Sequence, residues 1–135
     1  MKKISVLFVC LGNICRSPAA EAIFINLLEK KGLTEGFIVD SAGTGSWHIG
    51  KKADSRMRIA AERRDINISS RARQISSKDF EKFNYILAMD DSNFQNIQDL
   101  KNRTSSTDFA SIKKIQNFRS VFNDPEVPDP YFGGD

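Results

Sequence analysis

Val6-Leu7-Phe8-Val9-Cys10-Leu11-Gly12-Asn13-Ile14-Cys15-Arg16-Ser17-Pro18 is the stretch on which the reading of this chain turns. A short apolar run rich in β-formers ends in a cysteine, and an arginine follows six positions later. A serine and a proline then open a helical pattern. A strand that empties into a helix N-terminus gathers free backbone N–H groups, a guanidinium and a thiol around one small cavity. Such a cavity suits a tetrahedral dianion with a nucleophile beneath it.

The donors are numerous enough for a phosphoryl group. Leu11, Gly12, Asn13, Ile14, Cys15, Arg16 and Ser17 offer up to seven backbone N–H groups, with the positive end of the helix dipole behind them. Gly12 permits an unusual backbone angle or a close approach, and Asn13 tolerates the left-handed geometry that a tightly curled loop needs. Arg16 adds a planar fork that binds two phosphate oxygens at once. Cysteines beside a helix N-terminus and a cation ionise more readily than free ones, so Cys10 is expected as a thiolate, with Ser17 placed to donate to the sulfur. Alone, a thiol at a strand end is a small buried hydrophobe. The strand before Cys10 and the Ser-Pro start after it favour the nucleophile.

Working outward, Ile4 to Cys10 reads as a buried strand. Ser17 is the expected N-cap of the next helix and Pro18 its first residue, Ala20, Ile23, Phe24, Leu27 and Leu28 recur at helical spacing, and Gly32 is the expected C-cap. Phe37-Ile38-Val39 reads as a second strand that ends in a turn at Asp40-Ser41-Ala42-Gly43. Asp54 is expected to cap a helix reaching about Ile66, with Met57, Ala60 and Ala61 inward. Phe83 to Met89 reads as a third strand, Asp91 or Ser92 as the cap of a helix through Leu100, and Ser111 to Phe118 as holding a short fourth strand. Strands alternating with helices imply an α/β fold with a parallel sheet covered on both faces. Ligands of such sheets bind beyond the strands' carboxyl ends, where Cys10, Ser41 and Met89-Asp90 all fall.

The 135 residues, 40% hydrophobic and 27% charged, are expected to form one domain (1–135) around a single core. No run approaches the roughly 20 apolar residues of a membrane span, and Met1-Lys2-Lys3 leads straight into a strand without a signal peptide's apolar region. A cytoplasmic location with reduced thiols is the expectation. The net charge is +3. Lys51, Lys52, Arg56, Arg58, Arg63, Arg64, Arg71 and Arg73 crowd the middle of the chain and read as solvated faces in place of a nucleic-acid surface, and a mildly positive rim suits an anionic substrate. Two cysteines and one histidine make no structural zinc set. His48, in a loop-like stretch, reads as exposed.

A thiolate that attacks phosphorus expels an alkoxide or phenoxide, which a carboxylic acid should protonate. Asp129 in Val127-Pro128-Asp129-Pro130-Tyr131-Phe132-Gly133-Gly134 is the candidate, held in a loop stiffened by prolines.

Cys10-Leu11-Gly12-Asn13-Ile14-Cys15-Arg16-Ser17-Pro18, Asp40-Ser41-Ala42-Gly43-Thr44 and Asp129-Pro130-Tyr131 together resemble the low-molecular-weight protein tyrosine phosphatases. The resemblance spans essentially the whole chain. It implies a three-layer domain with a four-stranded parallel sheet flanked by helices, and no cofactor or metal. By it, Cys10 is the nucleophile that forms a phosphocysteine, Arg16 clamps the phosphate, and Asp129 acts as acid and then as base. Asn13, Ser17 and Ser41 support the loop. Leu11, Trp47 and Tyr131 form a substrate slot that suits a phenyl phosphate, although Trp47 also fits a partly buried core position. The implied partners are phosphotyrosine proteins or small aryl phosphates, with phosphate-like anions as inhibitors and neither nucleic acid nor membrane.

Two departures stand out. Many family members carry a histidine in His-x-Ala-Arg-Gln, where this chain has Ser70-Arg71-Ala72-Arg73-Gln74, so support for the loop asparagine is expected to be missing or made by a hydroxyl. The family's C-terminal helix is also expected to be missing from a sequence that stops at Asp135. Cys15 is a candidate redox partner for Cys10, or else a buried structural thiol. Rival functions are an arsenate reductase of the same fold, which would need a cysteine downstream of Cys15, and a phosphate- or phosphotyrosine-binding module without turnover.

Overall fold

The computed structural model describes residues 3–104 and 110–115. Four parallel strands, β1 (Ile4–Cys10), β2 (Phe37–Gly43), β3 (Tyr85–Ala88) and β4 (Ser111–Lys114), lie in the order β2-β1-β3-β4. The helices are α1 (Arg16–Lys31), α2 (Ser55–Glu62), α3 (Asp79–Lys82) and α4 (Asp91–Arg103), with a 3-10 turn at Thr34–Gly36. The α/β class and the four-stranded parallel sheet match the reading of the sequence.

Residue alternation along β1 explains the layers. Leu7 and Val9 point to one face, where they meet Phe80, Phe83, Ile86 and Ile97 from α3, β3 and α4 and the segments beside them. Val6 and Phe8 point to the other, against Ala20 and Phe24 of α1. A third cluster joins α1 to α2 through Cys15, Ala19, Ala53, Met57, Ala61 and Ile68. Phe80 and Phe83 are wholly enclosed, and truncating such a ring to alanine typically costs about 3–5 kcal/mol.

Several boundaries differ from those read off the sequence. The helix after the loop starts at Arg16 with Cys15 as its N-cap, and no side chain caps it. Ser17 is not the cap because its hydroxyl is turned inward to Cys10 and Asn13. β2 runs on to Gly43, because pairing with β1 as far as Cys10↔Gly43 carries it through the expected turn. α2 stops at Glu62, ahead of a turn that includes Asp65 at φ 60°. Asp90, not Asp91 or Ser92, caps α4, accepting from the Asn93 N–H, and α4 continues to Arg103. Gly32 ends α1 in the left-handed conformation as expected, and Asp54 caps α2 through the Arg56 and Met57 N–H groups. Of the expected fourth strand, 111–114 is strand and 116–118 lie outside the described residues.

The strand order places β1 between β2 and β3, so the chain leaves β1 toward one edge and returns on its other side. Where connections diverge in this way, a crevice opens beyond the carboxyl ends of the strands. Cys10 is the last residue of β1, and Asp90 follows β3 by two positions.

Candidate active site

A cleft of about 400 Å³ lies over the end of β1 and is lined by Cys10, Leu11, Gly12, Ile14, Cys15, Arg16, Trp47 and His48. The loop 11–15 curls around the Cys10 sulfur. Asn13 makes this possible by adopting φ 58°, the left-handed region that asparagine tolerates better than most residues. Its backbone N–H then donates to Cys10 Sγ at 3.2 Å. Ser17 Oγ stands 3.0 Å from the same sulfur, so two polar groups converge on the thiol.

The Asn13 side chain is the brace of the loop, and it is buried. Its Oδ1 accepts from the Arg73 backbone N–H at 2.9 Å, while Nδ2 donates to Ser17 Oγ at 2.9 Å and to Ser41 Oγ at 3.0 Å. Ser41 in turn meets the Glu21 carboxylate at 2.6 Å. Asn13 is thus held by the hydroxyls of Ser17 and Ser41 and by the Arg73 backbone N–H, and Ser70, at the position of the family histidine, lies in the segment just before Arg73. Arg73 holds its own position by bonding Asp40 and, with two nitrogens, Asp79.

Gly12 lies against His48. A Cβ on it would come 2.9 Å from the imidazole Cδ2, the far end of a side chain. His48, read as an exposed loop residue, is only partly exposed and lines the cleft. Trp47 is 68% exposed at the rim, which fits a slot wall and not a core position. Leu11, half exposed, lines the same cleft. Asp129 and Tyr131 lie outside the described residues.

Arg16 Nη2 bonds Asp90 Oδ2 at 2.8 Å, which spans the crevice between the ends of β1 and β3. Partial burial opposes ionisation of Asp90, but the Asn93 N–H, the Arg16 guanidinium and the Ser92 N–H outweigh it and hold the carboxyl below the usual range. Glu21 goes the other way. Burial pushes its carboxyl above the usual range, Asp40 adds to this, and Ser41, Ser70 and Arg73 oppose it. Cys10 and Cys15 are both buried and neither is in a disulfide, and Cys15 packs beside Ala53 and Met57.

The structure thus brings together Cys10, Leu11, Gly12, Asn13, Ile14, Cys15, Arg16, Ser17, Ser41 and Trp47. Glu21, Arg73 and the Arg16–Asp90 pair were not anticipated. Asp90 itself was placed at the ligand edge by the sequence, but its bond to Arg16 was not. Glu21 carried no signal beyond a carboxylate in the first turns of a helix.

Comparison with known proteins agrees with this geometry. The family model described as low molecular weight phosphotyrosine protein phosphatase matches residues 5–135. A protein of that name from Schizosaccharomyces pombe is 46% identical over 134 residues, spanning 98% of this chain and 84% of the relative. A crystal structure of a protein tyrosine phosphatase from Entamoeba histolytica superposes with a TM-score of 0.83 at 45% identity, covering 98% of this chain and 83% of that one. A Drosophila structure described as an arginine phosphatase gives the same TM-score of 0.83 at 35% identity, with 98% and 82% covered.

Proposed function

Because the chain belongs to the low molecular weight phosphotyrosine protein phosphatase family, we propose that it hydrolyses phosphotyrosine and other aryl phosphate monoesters through a phosphocysteine formed on Cys10. The observation that carries this reading is the convergence of the Asn13 N–H and the Ser17 hydroxyl on a buried thiol at the floor of a cleft that also holds Arg16. Both groups stabilise a thiolate, which is the nucleophilic form.

In the first step the Cys10 thiolate attacks phosphorus opposite the ester oxygen. The S–P bond forms, the P–O bond breaks, and Asp129 gives its proton to the departing phenoxide. In the second step water attacks the phosphocysteine, its proton passes to Asp129, and phosphate leaves with the thiolate restored. Arg16 and the N–H groups of the loop 11–17 carry the charge of the equatorial oxygens in both steps. Asp90 presets the guanidinium at the edge of the crevice. Leu11, Trp47 and Tyr131 wall the slot, whose reach admits a phenyl ring and leaves a short phosphoserine distant from the sulfur. Inorganic phosphate and similar anions compete for the cradle. No metal or cofactor takes part, and the enzyme works in the cytoplasm. Cys15 serves as the redox partner: peroxide converts the Cys10 thiolate to a sulfenic acid, and the Cys15 thiol condenses with it to a disulfide, releasing water.

Hydrolysis of p-nitrophenyl phosphate with a chelator present tests the reading. Cys10→Ser should abolish turnover while phosphate still binds, and Asp129→Ala should lower kcat by roughly two to four decades. Full activity in Cys10→Ser, or loss of wild-type activity on chelation, would overturn it. Phosphoarginine peptides belong in the same assay, since one neighbour of equal structural likeness is described as an arginine phosphatase.

A further inference from the structure

Glu21 projects from α1 into the far end of the hydrogen-bond chain that leads to the nucleophile. We propose that Glu21 is a positioning residue for the reaction. As the fixed acceptor at the outer end of the chain Glu21–Ser41–Asn13–Ser17–Cys10, it sets the direction of every proton in the chain and so aims the Ser17 hydroxyl at the Cys10 sulfur. The inference deepens the proposed function and rests on the reading of Cys10 as nucleophile.

The direction follows from counting donors. The Arg73 backbone N–H can only donate, so the Asn13 oxygen must face it at 2.9 Å. The Asn13 nitrogen is thereby turned to the two serines, and its two hydrogens go one to Ser17 Oγ and one to Ser41 Oγ. Each hydroxyl thus accepts from Asn13 and has one proton of its own to place. For Ser17 the acceptors at hand are Cys10 Sγ at 3.0 Å and the Ala42 carbonyl at 3.4 Å, and the sulfur is nearer. For Ser41, which is 1% exposed, the chain offers only another donor on the Asn13 side. Its proton goes to Glu21 Oε1 at 2.6 Å, and an ionised carboxylate cannot reverse that bond.

Remove the carboxylate, and a buried hydroxyl proton loses its acceptor. The least costly relief is for the Asn13 amide to turn and present its oxygen to Ser41. Turning breaks the bond to Arg73 and takes the donor away from Ser17, in the residue whose left-handed backbone shapes the loop. The charged groups that face Glu21 are Asp40 of β2 and Arg73. Burial makes ionised Glu21 costly to keep, which fits a group retained for the site and not for stability.

The test is a double-mutant cycle read as kcat and KM for p-nitrophenyl phosphate, per folded molecule by circular dichroism. Glu21→Ala should lower kcat by roughly ten- to a hundredfold, the scale of one hydrogen bond to a charged partner, with KM within about twofold. Glu21→Gln keeps an oxygen that can accept from Ser41 and should recover most of the loss. In a Ser41→Ala background Glu21→Ala should have no further effect, because the route is already cut. Glu21→Leu, which keeps the bulk and lacks an acceptor, replaces the alanine variant should that variant not fold. Wild-type kcat in Glu21→Ala or Glu21→Leu, a Gln variant as slow as these, or independent multiplicative losses with Ser41→Ala would each overturn the proposal. A Cys10→Ser control separates the failures: if it is inactive while the cycle is additive, only the role of Glu21 falls, and if it is active the nucleophile falls too.

Discussion

Gly43 has no side chain because the backbone beside it leaves no room for one. A Cβ there would stand 2.7 Å from the Leu11 carbonyl oxygen and 3.1 Å from the Asn13 nitrogen, both part of the loop around the sulfur. Gly12 is close-packed too, but what it meets is the His48 imidazole at 2.9 Å, the far end of a side chain that can swing aside. The two glycines should therefore respond differently to a methyl group. Gly43→Ala must displace loop backbone and should lower stability by about 1–3 kcal/mol, with weaker phosphate binding. Gly12→Ala should leave both close to wild type. Thermal melts and phosphate titrations of the two variants check this, and equal losses in both would contradict it. The different environments of these glycines were hidden in the sequence, because His48 and Leu11 reach them only through the fold. The left-handed Asn13 was legible, since few residue types suit that backbone region. Arg16, Ser17 and Cys10 were legible for the same kind of reason, as their chemistry is local to one loop.

Among the elements, α2 has the plainest cap. The Asp54 carboxylate takes the Arg56 N–H at 3.1 Å and the Met57 N–H at 3.2 Å, and its own N–H bonds the Ile14 carbonyl of the loop. Asp54→Ala should cost about 0.5–2 kcal/mol of stability. The Ile14 bond uses the backbone and survives the change, so kcat should move by less than the melting temperature suggests. A large loss of kcat with an unchanged melt would contradict this division. Asp54 could be recognised from sequence because a cap acts within one turn. The start of α1 could not, because Ser17 looks like a cap and is instead turned inward to the sulfur. The early end of the second strand was misread for a related reason. Asp40-Ser41-Ala42-Gly43 has turn-like composition, yet pairing with β1 holds it extended. Tertiary contact overrode local propensity at both places, and both border the site.

Over the molecule as a whole, two carboxyls tilt stability in opposite directions with pH. Glu21 holds its proton more tightly in the fold than in the unfolded chain, so its contribution is full below the ordinary carboxyl value and is lost as pH rises through the raised one. Asp90 is lowered, so its contribution is present above the ordinary value and is lost as pH falls through the lowered one. The melting temperature of Glu21→Gln minus that of the wild type should therefore rise as pH climbs above the ordinary carboxyl value, and the same difference for Asp90→Asn should fall as pH climbs toward that value from below. Slopes of one sign in both variants would contradict the assignment. The layers and the ligand edge were readable because alternation and crossover rules act at this scale. The long-range bonds from Arg73 and Glu21 were not, since they join segments far apart in the sequence.

Cys10 terminates β1, which like β3 has a neighbouring strand on each side. Local fluctuations start where structure is thinly tethered, at sheet borders and chain ends, and reach interior strands last. The amides of Leu7 and Val9 are thus committed to exchange with solvent only when the domain opens as a unit. Fraying of the outer strands leaves the anchor of Cys10 standing.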